Sequence, residues 1–341
     1  MRKTHPVFTT AAVIVLLLAC VYVCRRDGDS GAWREPLTYD FAVFNTICRL
    51  QVWTDESQKA DDCARIVLRE LQALHRTLNA FEPTSELSRL NSTAASEPFA
   101  CSETLWRVMA AARIAWRQTD GWFDISFAPL LALWGKGRAT LPEQAELEAV
   151  LPLVGLDKVV FDEEARTVRF TRPGMALNCG GIAKGYALDL ARQLLEQAGL
   201  DCYLLDFGGN LYLSRRTPPG RQGFSVGIRH PGDANKTICR FELAGACVST
   251  SANYSRAVTI GEKKVGHIFN AHTGQPVSTA GSVTVITPSG VASDVFSTAV
   301  FAGGTELARR LCEEVSGTGF IIVDEQGQLS ICGQVPVLAE E

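Results

Sequence analysis

Strand-type and helix-type segments do not take turns along this chain, and that irregular order is what most limits the folds open to it. Residues 39–53 alternate apolar and polar side chains as a strand does. The stretch 57–78 then places Ala60, Ala64, Val67, Leu71, Leu74 and Leu78 at helical spacing. A second helix is expected from its N-cap Ser102 to Thr119, with Gly121 reversing the chain just beyond. A short helix from Pro142, a hairpin over 158–171 and an amphipathic helix over 183–198 stopped by Gly199 follow. From 202 to 287 the pattern is mostly short strands. The chain ends with a helix from Ser293 to Phe301, a break at Gly303-Gly304, a further helix to about Val315 and a hairpin around Gln326-Gly327. Regular alternation would signal a doubly wound parallel sheet. This order points instead to an α+β fold, with mixed or antiparallel sheets flanked by helices.

With 341 residues, 46% of them hydrophobic, the chain can bury the core of one large domain or of two intimate lobes, which excludes disorder. Its formal charge of -4 becomes about -6 without Arg2 and Lys3, so no basic field exists to attract nucleic acid. Residues 1–26 have the layout of an export signal: Arg2-Lys3, an apolar run from Ala11 to Ala19, then Cys20. Leu17-Leu18-Ala19-Cys20 resembles a bacterial lipobox, in which Cys20 would be lipidated. The alternative is an uncleaved helix over 7–23, against which Arg25-Arg26 speaks through the positive-inside bias. Either reading puts the body outside the cytoplasm, facing the periplasm from a membrane of the bacterial envelope, with 27–36 as a tether and the folded part over 37–341. Eleven cysteines leave nine beyond Cys20 and Cys24, an odd number that implies at least one free thiol. No C-x-x-C pair occurs, so a zinc ribbon or a thioredoxin-type centre is unsupported, and most cysteines are expected as small buried hydrophobes.

Three constellations have chemistry in them. The segment Asn178-Cys179-Gly180-Gly181-Ile182-Ala183-Lys184-Gly185 joins a strand-like Met175–Leu177 to a helix, and its glycines and free amides would let a backbone approach an anion. It fits neither a Walker loop nor a dinucleotide fingerprint, and an ordinary tight turn explains it equally. Asp294 and Thr298, four residues apart on a helix expected to be capped by Ser293, put a carboxylate and a hydroxyl on one face; both are hard oxygen ligands, although an acid in a first turn also suits the helix dipole. His267 and His272 leave a strand-like 263–269 and enter a turn, where either histidine could act as a base. Gly121-Trp122-Phe123-Asp124-Ile125 and Pro129–Gly135 gather aromatic side chains around a carboxylate, as a planar ring would need and as a core would too. The run 206–210 reads as strand, turn and strand.

Taken in order, these segments resemble the ApbE family of FAD:protein FMN transferases. The resemblance runs over 44–304 and is carried by 83–91, Gly121–Asp124, Leu133-Trp134-Gly135, Gly180–Gly185, Gly208-Gly209, Thr250-Ser251, His267-Ile268, Thr273-Gly274 and Asp294–Thr298. It implies two intimate lobes about a T-fold-like core. It also implies a reaction: a Thr or Ser hydroxyl of an acceptor protein attacks the FMN phosphorus of FAD, and AMP leaves. Such phosphoryl transfer needs charge neutralisation, which suits Mg²⁺. By the same resemblance the metal is held by Asp294, the Thr298 hydroxyl and backbone oxygens near Gly181 and Ser297, and His267 is the base beside the catalytic Asp294. Phe44, Phe81, Trp122, Phe123, Asp124, Lys184 and His267 would grip FAD. The expected acceptor is a flavoprotein subunit of an envelope electron-transfer complex, on the membrane to which Cys20 would tether this chain.

Several positions depart from the family pattern. Phe44-Asn45-Thr46 stands where Met-Gly-Thr is frequent, Ser251-Ala252-Asn253-Tyr254 where Ser-Gly-Asp-Tyr is common, and Asn270-Ala271-His272 where Asp-Pro-Arg is usual. The last change leaves open whether His267 or His272 is the base. Two other activities stay open as well: hydrolysis of FAD to FMN and AMP, and flavin binding without chemistry.

Overall fold

The stretch read as one strand over 39–53 is a hairpin. The computed structural model describes residues 35–135, 138–230, 233–253, 258–260, 263–277, 281–337 and 339–340, so the expected signal, Cys20 and most of the tether lie outside the described residues. Strands β1 (Leu37–Val43) and β2 (Thr46–Val52) pair antiparallel, with Val43 opposite Thr46. Phe44 and Asn45 between them take φ values of 55° and 57°, the left-handed pair that a two-residue hairpin turn needs to match strand twist. The sequence carried a trace of this turn. Buried positions are odd before it (Tyr39, Phe41, Val43) and even after it (Cys48, Leu50, Val52), a slip of phase that no single strand allows.

Six further strands extend the sheet: β3 (Tyr203–Phe207), β4 (Leu211–Leu213), β5 (Ala246–Ala252), β6 (Ser282–Thr287), β7 (Gly319–Val323) and β8 (Leu329–Gly333). The eight lie side by side in chain order, every neighbour antiparallel. This is the α+β arrangement that the irregular element order implied. The hairpin expected over 158–171 is present as Val159–Asp162 with Thr167–Phe170.

Among the described residues, seven α-helices fill the connections: α1 (Ser57–Leu78), α2 (Glu86–Thr93), α3 (Glu103–Gln118), α4 (Ala128–Leu133), α5 (Gln144–Val150), α6 (Ala183–Gln197) and α7 (Gly290–Glu314). All six apolar positions read on α1 are buried, and each buried leucine there contributes about 2 kcal/mol. Period-two sorting divides the sheet's faces. Val283 and Val285 of β6 join the core beneath the helices, whereas Val248, Ile286 and Ile321 pack with Phe224, Val226 and Phe241 of the hairpin formed by Phe224–His230 and Asp233–Leu243. Every residue of β6 is buried, as a central strand covered on both faces must be. A third apolar cluster gathers Leu130, Trp134, Leu147, Ile260, Val265 and Phe269, and Trp134 Nε1 donates to Gly274 O at 3.0 Å.

Two local expectations change. Helix α7 begins one turn before Ser293: Ser289 is its N-cap and accepts the Ala292 N–H at 3.2 Å, while Asp189 receives the Gly290 and Val291 N–H groups. The expected break is present, as Gly304 has φ 80° and ψ -170° inside the helix. Residues 175–177, read as strand-like, form no ladder. Leu177 is held instead by the Asn91 side chain, which accepts its N–H at 2.8 Å and donates to its carbonyl at 2.9 Å.

Candidate active site

Helices α6 and α7 cross at two glycines, and this crossing builds the site. A Cβ on Gly185 would lie 2.3 Å from Gly290 O and 2.8 Å from Asp294 Cβ, and one on Gly290 would lie 2.4 Å from Gly185 O. With no side chains between them, the backbones meet and Gly185 N–H reaches Asp294 Oδ2 at 2.9 Å. The neighbouring Lys184 Nζ lies 3.1 Å from Asp294 Oδ1. Gly185→Ala is therefore expected to force the helices apart, destabilising the protein by about 3 kcal/mol. A thermal melt checks this, and an unchanged melting temperature would show the crossing to be slack.

Asp294, only 5% exposed, sits in the second turn of α7, so the first-turn dipole explanation for its carboxylate no longer applies. The Thr298 hydroxyl donates to Asp294 O at 3.1 Å, and Ser297 donates to the same carbonyl at 2.9 Å. Facing them, alternate serines of β5 form a polar seam. Ser249 Oγ is 2.8 Å from Ser293 Oγ, and Ser251 Oγ donates to Ser297 Oγ at 3.0 Å and lies 3.4 Å from Thr298 Oγ1. Gly181 comes in from the α6 side, where a Cβ would meet the Phe123 ring at 3.1 Å and Thr298 Oγ1 at 3.9 Å.

Asp294, Thr298, Gly181, Lys184, His267, Trp122, Phe123 and Asp124 line one cavity of about 230 Å³ between the helix-covered core and the third apolar cluster. Phe44 and Phe81 do not line it. They line an adjoining groove that shares Asn178, Gly180 and Lys184 with the cavity. Phe44 meets the His75 ring edge-on at 5.4 Å, and Phe81 is 79% exposed. Burial, with Arg76 nearby, holds the His75 imidazole below its ordinary pKa. Ser297 is buried behind Thr298 and is absent from the cavity lining.

The two carboxylates of the cavity have different work. Asp124 accepts the Ser126 N–H at 2.7 Å and the Leu156 N–H at 2.9 Å, pinning the turn that carries Trp122 and Phe123. Burial pushes its carboxyl above the usual aspartate range, against the amide hydrogen bonds that favour the ionised form. Asp294 has one backbone N–H and otherwise faces an ammonium group. That ammonium shows the spot to be suited to a cation. Because the Thr298 hydroxyl hydrogen is turned to its own helix, Thr298 offers the cavity lone pairs. One carboxylate with hydroxyl and carbonyl oxygens is the donor set of a hard ion that keeps ligand positions for phosphate oxygens, so these residues fit Mg²⁺. No group of three His, Cys, Asp or Glu able to hold a metal occurs among the described residues.

A model of the ApbE family matches residues 44–322. The chain belongs to the ApbE family. It is 28% identical over 321 residues to a FAD:protein FMN transferase of Klebsiella pneumoniae, covering 91% of each chain. It is 25% identical to the Escherichia coli K12 protein of that name, covering 93% of each. Among solved structures, the ApbE protein of Thermotoga maritima superposes with a TM-score of 0.79 at 25% identity, over 87% of this chain and 96% of that one. The Vibrio cholerae flavin transferase ApbE shares the fold, with a TM-score of 0.74 at 22% identity over 87% and 96%.

Against the ApbE pattern, the departure at 270–272 is locally accommodated. Asn270 Oδ1 accepts the His272 and Thr273 N–H groups at 3.0 and 3.1 Å, closing the turn with the oxygen that a carboxylate would have used. His272 lies edge-on to Trp122, 4.7 Å between centroids, and does not line the cavity. Of His267 and His272, His267 is the one that lines the cavity together with Asp294 and Thr298. Ser251, Asn178 and Asn210, not among the expected site residues, line the cavity too. A signal existed for Ser251: serines two apart on a strand matched Ser293 and Ser297 four apart on a helix.

Proposed function

We propose that this chain transfers FMN from FAD to a Thr or Ser hydroxyl of an acceptor protein and releases AMP. The observation that carries the reading is the convergence on one cavity of an oxygen donor set (Asp294, Thr298, Gly181), a lysine and a histidine, beside aromatic walls at Trp122, Phe123 and Phe127. The names of the curated relatives, FAD:protein FMN transferase, support the same reaction.

Asp294, Thr298 and backbone oxygens near Gly181 and Ser297 would hold Mg²⁺, which when bound neutralises charge on the diphosphate. Lys184 adds a second positive charge at the same edge. His267 takes the proton from the acceptor hydroxyl as its oxygen bonds to the FMN phosphorus, and the bond from that phosphorus to the AMP oxygen breaks. Trp122, Phe123 and Asp124 form one side of the flavin nucleotide's pocket, with Phe44 and Phe81 in the groove beyond Lys184.

The same proposal places the body on the periplasmic side of a bacterial envelope membrane, lipidated at Cys20, near an acceptor subunit of an electron-transfer complex. Its support is the order of Arg2-Lys3, the apolar run and Leu17-Leu18-Ala19-Cys20.

Incubating the protein with FAD and an acceptor protein tests the reaction. A fluorescent flavinylated band and equimolar AMP are expected with Mg²⁺, and both should fall at least ~100-fold with a chelator. Free FMN without a band would make the chain a FAD pyrophosphatase. Bound FAD with no AMP would make it a flavin-binding protein.

A further inference from the structure

Two thiols far from the cavity meet across the end of the fold. Cys312, in the part of α7 beyond the Gly304 break, has its Sγ 3.4 Å from Sγ of Cys332 on β8. The room between them is shaped for sulfur. Gly333, next to Cys332, has φ 74°, and a Cβ there would lie 2.5 Å from Cys312 Sγ, so the left-handed glycine both turns the chain and clears the approach. Other thiols are placed differently: Cys48, Cys63, Cys101 and Cys247 turn their sulfurs to backbone carbonyls.

We propose that Cys312 and Cys332 form a disulfide that fastens α7 to the edge strand β8. The oxidant is a small-molecule or protein disulfide. One cysteine sulfur attacks it, giving a mixed disulfide and one released thiol. The second cysteine displaces the remaining thiol, so two electrons and both cysteine protons leave on the two thiol products. β8 is the edge strand of the sheet, with Ile331 half exposed; a covalent tie there keeps the edge in register and limits its opening. The same tie holds the helix that carries Asp294 and Thr298 on the far side of its break. Burial, then the neighbouring Cys332, pushes the Cys312 thiol up to about 12, which makes Cys312 a poor nucleophile and fits a staple better than a redox relay.

The proposal stands apart from the transfer reaction, and its test supplies the oxidant, so it does not depend on export. The purified full chain is equilibrated with oxidised glutathione, its free thiols are blocked with a maleimide, and it is digested without reductant. A linked peptide pair containing Cys312 and Cys332 is expected, with both residues unlabelled. Reduction should lower the melting temperature by roughly 5 °C, and a C312S/C332S chain should show no reductant dependence. Full maleimide labelling of both residues, or a glutathione adduct on either in place of the link, would overturn the proposal.

Discussion

Asp294→Ala is expected to abolish Mg²⁺-dependent AMP release from FAD, lowering it about 10³-fold or more, equivalent to roughly 4 kcal/mol of transition-state stabilisation. The reason is the division of labour between the two carboxylates of the cavity. Asp124 gives both oxygens to backbone amides, whereas Asp294 holds one amide and faces the cavity beside Lys184. Removing the Asp294 carboxylate also leaves Gly185 N–H and a mostly buried ammonium without their partner, at a cost of about 3 kcal/mol in stability. A second variant separates the two effects. Asp294→Asn keeps an acceptor for Gly185 while losing the charge, so it should melt nearer the parent and still release no AMP. Retained release in a folded Asp294 variant would remove this residue from the mechanism.

His267→Ala is expected to lower transfer to the acceptor protein by about 10²–10⁴-fold, the range of a lost general base. FAD affinity should change only a few-fold, because the nucleotide keeps its aromatic walls and Lys184. The measurement pairs single-turnover flavinylation with FAD titration. His272→Ala serves as the comparison, since His272 packs against Trp122 outside the cavity lining. Normal transfer in His267→Ala, with loss in His272→Ala, would move the base to the second histidine.

Local features of the fold were legible where one residue type solves one local problem. Ser102 caps α3 by accepting the Leu105 N–H at 3.2 Å, and Gly121 and Gly199, both at φ near 70–80°, end helices as expected. The stripe on α1 needed only its 3.6-residue period. The hairpin at Phe44-Asn45 is not legible locally, because a phenylalanine with positive φ is a costly conformation that no local rule anticipates. The start of α7 is ambiguous by one turn in the sequence, because Ser289 and Ser293 are equally good caps in isolation. Asp189, a hundred residues earlier, settles the choice by binding the amides that Ser289 leaves over.

The amino-acid sequence by itself determined the α+β class, the separate helices and hairpins, and the ordered motifs that mark an ApbE chain. Each of these depends on neighbours along the chain. Spacing alone left Asp294 and Thr298 as two oxygens on a helix face, and the resemblance named His267 as the base while leaving His272 open. Only the tertiary structure decided where these side chains lie relative to one another. The glycine crossing of α6 and α7 sets Lys184 and Gly185 against Asp294, and the turn closed by Asn270 leaves His267 in the cavity and His272 behind Trp122. Contacts between residues a hundred positions apart follow from how helices and strands pack, and packing leaves no periodic trace in the chain.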